Sequence, residues 1–226
     1  MAGFVAFAGA TLARDAAIAF KAGGGWLLGL VFYAIFVTLA AFAIGPEAAA
    51  LRPNAVAIIW LAALFALQFA AADMFTADFD DGTLKVLASE QSSLLPYVIG
   101  KTAAVFLVSA APLILATPAA LSLFAVPASA VWSMTPAIAV GALGLILAAL
   151  AASAINTALV GGGRFAAILA APLSVPVLIF GVGASRLVLA GEGVWTADFQ
   201  LLAASVLFLG VAAPGFAVLS LRLGLE

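Results

Sequence analysis

Long runs without a single charged side chain alternate with short charged breaks along the 226 residues. Residues 22–46, 53–72, 102–163, 165–185 and 199–221 contain no Asp, Glu, Lys or Arg. A helix that crosses the hydrocarbon core of a bilayer needs about 20 predominantly apolar residues. Length therefore assigns one crossing to each of four runs and two to residues 102–163. In hydrocarbon every backbone amide must be satisfied within the protein, which leaves helices or closed barrels. Barrel strands alternate apolar and polar positions, and these runs do not. The expected fold is all-α and integral to a membrane. Its six transmembrane helices fall at roughly 24–44, 54–72, 101–125, 131–156, 165–186 and 199–221.

The links between spans read as short. Gly45-Pro46-Glu47 follows the first span, and Arg52-Pro53 opens the second. Pro127 and Pro136 bracket the next tight turn, and Val160-Gly161-Gly162-Gly163-Arg164 joins spans four and five. Leu187 to Asp198 joins five and six. The exception is the segment 73–100 after span two, which holds five of the ten acidic residues of the chain.

Composition agrees with this class. The chain is 67% apolar and 8% charged, with a mean hydropathy of +1.32, whereas soluble domains carry about 25% charged residues. A net charge of −2 and the lack of a basic patch argue against a nucleic-acid partner. With no Cys and no His, disulfides and thiolate or imidazole metal sites are excluded. No basic residue precedes the apolar part of residues 1–13, so no cleaved signal peptide is expected. Lys and Arg favour the cytoplasmic side of membrane proteins. Six spans place both termini, link 2–3 and link 4–5 on one side, together with Arg14, Lys21, Lys85, Lys101, Arg164 and Arg222. Only Arg52 and Arg186 fall opposite. Both termini and the acidic link are therefore expected in the cytoplasm.

Residues 4–21 gather Thr11, Arg14, Asp15 and Lys21 near one helical face, with Phe4, Leu12, Ala16 and Phe20 largely elsewhere. This pattern predicts an amphipathic helix lying along the cytoplasmic leaflet. A leader without a packing role is the alternative.

Catalytic chemistry is scarce. No charged residue falls in the middle of an expected span, whereas ion-coupled pumps carry such groups for function. Gln68, Asn156 and Thr157 are the strongest polar candidates within spans, and hydrogen bonding between helices accounts for them equally well. Gly100-Lys101-Thr102 imitates the end of a phosphate-binding loop, but that loop needs a glycine at the position of Leu95. Lys101 reads instead as an interfacial anchor at the start of span three. The acidic cluster fails as a calcium loop, because position 5 from Asp78 is Gly82 and position 12 is Ser89. Pro112 and Pro118 fall in span three, Pro172 and Pro176 in span five, and Pro214 in span six, where each removes a backbone donor and tends to bend its helix. Gly25 and Gly29 form a small-xxx-small pair in span one.

The acidic link is not uniformly polar. Phe75 and Phe79 are four apart, on one helix face, and Leu84 and Leu87 are three apart. Gly82 suits a helix end and Thr83 a helix cap. Two short amphipathic helices broken at Asp81-Gly82-Thr83 are expected. Their apolar faces would rest on the bundle, and Asp78, Asp80 and Asp81 would face away as a docking knob for a cytoplasmic partner. A solvated turn is the other reading.

At this point a family likeness becomes specific. Ile44-Gly45-Pro46-Glu47, then Ala57-Ile58-Ile59-Trp60-Leu61-Ala62-Ala63-Leu64, then Phe75, Asp78 and Asp81-Gly82-Thr83-Leu84, then Gly162-Gly163 with Pro172-Leu173-Ser174-Val175-Pro176-Val177-Leu178-Ile179-Phe180 occur in order along the chain. In these blocks it resembles the permease subunit of the cytochrome c maturation ABC transporter, the haem exporter protein B family. Lys85 departs from the pattern, since the family more often has glutamate there. The resemblance implies an ABC-2-type exporter permease fold, with an interfacial helix before six spans. It implies a bacterial inner-membrane location and no catalysis by this chain. It also implies a separate cytoplasmic ATP-binding subunit, a second copy of this chain, a haem-handling membrane protein, a small single-span membrane protein and a periplasmic haem chaperone. ATP would bind the partner subunit, and haem would be handled by the complex. The link between spans two and three, with Phe75, Asp78, Phe79, Asp80, Asp81, Gly82, Thr83 and Leu84, would dock on the ATPase. Pro172 and Pro176 would let span five bend. Without His, and with Met74 and Met134 as the only methionines after the first residue, the chain offers no convincing haem ligand pair. Two other readings stay open: an exporter permease for lipid or another solute, and a membrane scaffold that transports nothing. Co-purification of an ATPase with haem-handling partners, of an ATPase alone, or of no ATPase separates the three.

Overall fold

The computed structural model describes residues 2–21, 27–89, 94–159 and 166–225, and among these there is no strand. The helices are α1 (Ala2–Lys21), α2 (Leu28–Ile44), α3 (Ala48–Ala71), α4 (Thr76–Asp80), α5 (Thr83–Ser89), α6 (Leu94–Val105), α7 (Ala111–Leu123), α8 (Ala128–Ala158), α9 (Ala166–Leu189) and α10 (Ala197–Leu223). A π-helical turn, Phe106–Ala110, joins α6 to α7 in one continuous span. The all-α integral membrane architecture is thus present. By length and composition, six helical stretches among the described residues suffice to cross a bilayer: α1, α3 through α4, α6 through α7, α8, α9 and α10. Leu28–Ile44 is shorter, at 17 residues, the lower end of what a span needs. Gly25 of the small-residue pair and the link Val160–Arg164 lie outside the described residues.

Several boundaries depart from the sequence reading, each for a local reason. Proline is tolerated where helix packing compensates the lost bond. Pro53 therefore lies inside α3, and Pro136 inside α8, rather than at their ends. Only Pro127 stays at a boundary, in extended geometry just before α8. The third span begins at Leu94 rather than residue 101. Pro112 has no amide hydrogen, and its ring crowds the carbonyl four residues earlier. The wider π turn immediately before α7 accommodates that defect.

Helix α8 is the centre of the bundle. It packs on α3, α7, α9 and α10, and its run of Ala and Gly allows close approach without large ridges. Trp60 of α3 is 2% exposed, enclosed by Gly141 of α8 and Gly181 of α9. A Cβ at either glycine would come within 2.2 Å of its ring. The indole N–H donates to Ser185 Oγ at 3.0 Å. Nearer the other end of the bundle, Gln68 Nε2 donates to Ser174 Oγ at 3.0 Å, and Tyr33 and Thr117 share a buried hydroxyl contact of 3.2 Å. Polar groups are worth burying here because each finds a partner on another helix. Thr157 bonds back to the carbonyl of Ser153, whereas Asn156 Nδ2 has no partner among the described residues.

Candidate functional site

Residues 73–89 form the elbow that follows the second span. Helix α4 ends at Asp80, Gly82 turns the chain at φ +82°, and α5 starts at Thr83. The two-helix expectation therefore holds, and the break falls at Asp81-Gly82-Thr83. A positive φ at Gly82 suits a residue without Cβ. The capping role differs from the one assigned to Thr83. The Thr83 amide donates to Asp81 Oδ1 at 2.8 Å, so Asp81 is the acceptor and Thr83 opens the helix. The Thr83 side chain and backbone amide hold the Asp81 carboxyl below the usual carboxylate range.

The inward face carries Phe75 and Leu84, both fully buried, with Phe79 and Leu87 half-buried against the core. Asp78 shares this face and corrects the expectation that it points away with Asp80 and Asp81. It is 6% exposed and accepts from three side chains. Arg14 Nη2 of α1 reaches both its oxygens, at 2.9 and 3.1 Å. The Tyr97 hydroxyl of α6 donates at 2.5 Å, and Lys101 Nζ donates to the same oxygen. Asp15 completes the network, 2.8 Å from Arg14 Nε and 3.0 Å from Lys101 Nζ. Two carboxylates and two cations cancel in charge. That balance, with hydrogen bonds on the remaining lone pairs, makes such burial bearable. The ammonium also lies 5.4 Å from the Tyr97 ring centroid, within cation–π reach. Lys101 is thus no interfacial anchor at a helix start. It sits inside α6, buried in this network.

The network ties α1, α4 and α6 together. Helix α1 crosses α6 at Gly100, where an added Cβ would come 2.3 Å from the Ala8 carbonyl oxygen and 2.9 Å from Thr11. Only glycine permits that approach. Thr11 and Asp15 on this face meet α6, while Val5, Ile18 and Phe20 stay exposed. The helix turns Arg14 and Asp15 toward the network while Val5, Ile18 and Phe20 point outward.

Facing away from the bundle, the elbow exposes Asp80, Asp81, Lys85 and Val86. Of the residues assigned to coupling, Phe75, Asp78 and Leu84 are therefore internal, while Asp80 and Asp81 are available to a partner. Pro172 and Pro176 lie inside α9, which runs as one helix from Ala166 to Leu189. They form no part of the elbow. Among the described residues no group of His, Cys, Asp and Glu could hold a metal ion. Arg14, Asp15, Tyr97 and Lys101 were not singled out by the acidic motif. The one signal for Asp78 was its position three residues after Phe75, on the apolar face.

The family model described as CcmB protein matches residues 6–223. The chain is 36% identical over 217 residues to Heme exporter protein B of Bradyrhizobium diazoefficiens, covering 96% of this chain and 98% of that protein. It is 30% identical over 207 residues to Heme exporter protein B of Pseudomonas aeruginosa, covering 89% and 93%. To the protein of the same name from Escherichia coli K12 it is 43% identical over 155 residues, covering 69% and 70%.

Proposed function

The chain belongs to the CcmB protein family, and on that premise we propose that it is the membrane subunit of an ATP-driven haem exporter serving cytochrome c maturation. Its relatives carry the name Heme exporter protein B. ATP hydrolysis belongs to a separate cytoplasmic subunit, for which residues 73–89 are the docking elbow. Two copies of the chain and two ATPases make the motor. A haem-handling membrane protein and a small single-span protein attend it, and its strokes export haem or release a loaded periplasmic chaperone. The chain itself supplies no cofactor ligand.

One observation carries this reading: the elbow is two-sided. Its outer face offers Asp80 and Asp81, while Asp78 on its inner face is pinned to α1 and α6. A partner that pulls on the outer face therefore moves α6 and α1 with it. Such a partner biases the bundle only if it binds its two states unequally. In this reading α1 lies at the cytoplasmic membrane surface, both termini are cytoplasmic, and the membrane is the bacterial inner membrane.

The docking experiment uses the exposed carboxylates alone, because altering Asp78 would disturb folding as well as docking. Asp80→Lys with Asp81→Lys is expected to lower recovery of the ATP-hydrolysing subunit in a pull-down by about tenfold, as reversed rim charges disfavour encounter. Unchanged recovery with a correctly inserted chain sinks the docking role. Topology has its own check. A reporter fused after Ser89 is expected to be active only in the cytoplasm, and one after Glu192 only in the periplasm. Both reporters on one side would overturn the six-span arrangement.

A further inference from the structure

A pocket of about 280 Å³ opens where α2 begins and α3 ends, lined by Leu28, Gly29, Phe69, Asp73, Met74 and Ser109 among others. Two of these groups have unused hydrogen-bonding capacity. Asp73 is exposed and makes no ion pair or side-chain hydrogen bond among the described residues, whereas Asp78 and Asp81 are both engaged. Ser109 lies in the π turn. Thr102, Thr117 and Ser122 on the same span return their hydroxyls to the carbonyl four residues back. Ser109 makes no such bond among the described residues.

The position of the pocket selects its ligand. Asp73 stands just beyond the end of α3 at Ala71, where a spanning helix passes from hydrocarbon into the head-group layer. From Phe69 an aromatic ladder descends between α2 and α3. Phe69 and Phe32 lie 5.3 Å apart, Phe32 and Phe36 6.0 Å, and Phe36 and Phe65 6.3 Å. Phe65 and Phe69 keep much of their surface outward, toward the bilayer. A carboxylate thus sits above an apolar strip at the depth of a lipid head group, beside a free hydroxyl.

We propose that this pocket binds a membrane lipid with a primary-ammonium head group, of the phosphatidylethanolamine class. The ammonium pairs with the Asp73 carboxylate in a charge-assisted hydrogen bond. The Ser109 hydroxyl donates to a phosphate oxygen, and an acyl chain follows Phe69 and Phe65. An anionic lipid would place its charge against Asp73, and a quaternary choline lacks the N–H donors. The site shares Asp73 and Met74 with the start of the elbow but uses neither Asp80 nor Asp81, the carboxylates offered to the docking partner.

Native mass spectrometry of the full chain in detergent tests the proposal, with phosphatidylethanolamine, phosphatidylcholine and phosphatidylglycerol of equal chain length as probes. Wild type is expected to retain the ethanolamine lipid in preference to the other two. Asp73→Asn is expected to lower that retention by about fivefold, the scale of one partly solvated ion pair. Asp73→Lys is expected to turn the preference toward phosphatidylglycerol. Because the reversal reads a gain of binding, a folding defect cannot imitate it. No head-group preference in wild type, or an ethanolamine preference that survives Asp73→Lys, overturns the assignment.

Discussion

Asp78→Ala is expected to destabilise the folded chain by about 3–5 kcal/mol, the usual consequence of removing one partner from a buried ion pair. The substitution leaves Lys101 with Asp15 as its remaining carboxylate, and leaves the Tyr97 hydroxyl without its acceptor. Arg14→Ala should cost much less. Its side chain is 40% exposed, and solvent screens what it loses. Asp80→Ala, on the outer face, should change stability by about 0.5 kcal/mol or less, and Asp81→Ala, which loses the acceptor of the Thr83 amide, should fall between Asp80→Ala and Asp78→Ala. Thermal unfolding of the detergent-solubilised chain measures the series. The order matters more than the magnitudes. If Asp78→Ala behaves like Asp80→Ala, the elbow is not pinned to α1 and α6, and force applied to it has no defined route into the bundle. Asp78→Leu with Lys101→Met refines the comparison. Exchanging both ends for apolar groups should recover part of the stability that either single change loses.

The second large effect is expected at Trp60. Trp60→Ala removes the side chain that fills the junction of α3, α8 and α9, and should cost about 3–5 kcal/mol as a large-to-small core change. The reverse error is as informative. Gly181→Val puts branched carbon where the ring already stands, with a Cβ 2.2 Å from it, and overpacking of this kind costs about 1–3 kcal/mol or more. Joining Gly181→Val to Trp60→Ala should restore part of what each loses, because one change empties the space that the other fills. Double-mutant stability measured by the same unfolding assay decides this. Strict additivity of the two would mean that ring and glycine do not share one cavity.

Spans were legible in the sequence because hydrocarbon imposes one demand on every residue within it. The charge-free runs fall on α2, α3, α6 through α7, α8, α9 and α10, with their ends moved, whereas α1, itself long and apolar enough to cross a bilayer, lies outside them. Ends are set by local events the pattern does not record, such as Pro53 and Pro136 being absorbed into helices and Pro112 following a π turn. The elbow was legible in its break, since Asp81-Gly82-Thr83 combines an acceptor, a positive-φ residue and a helix start. Its orientation was only half legible. Phe75 and Phe79 identified the inner face, yet Asp78 was grouped with its acidic neighbours although it lies on the same side as Phe75. Its partners were out of reach of local pattern, because Arg14 lies 64 positions away and Lys101 lies 23 away. The Trp60 seat is likewise outside local pattern, since nothing near Gly141 or Gly181 in the chain marks them until three helices are brought together.

The distance along the chain between Arg14 and its carboxylate has a consequence for biogenesis. Helix α1 leaves the ribosome well before Asp78, and longer still before Lys101. During that interval Arg14 and Asp15 have, of the four charged groups in the network, only each other. The first helix can take its final seat only once Asp78 and Lys101 have been made, so α1, although synthesised first, is locked later than α2 and α3.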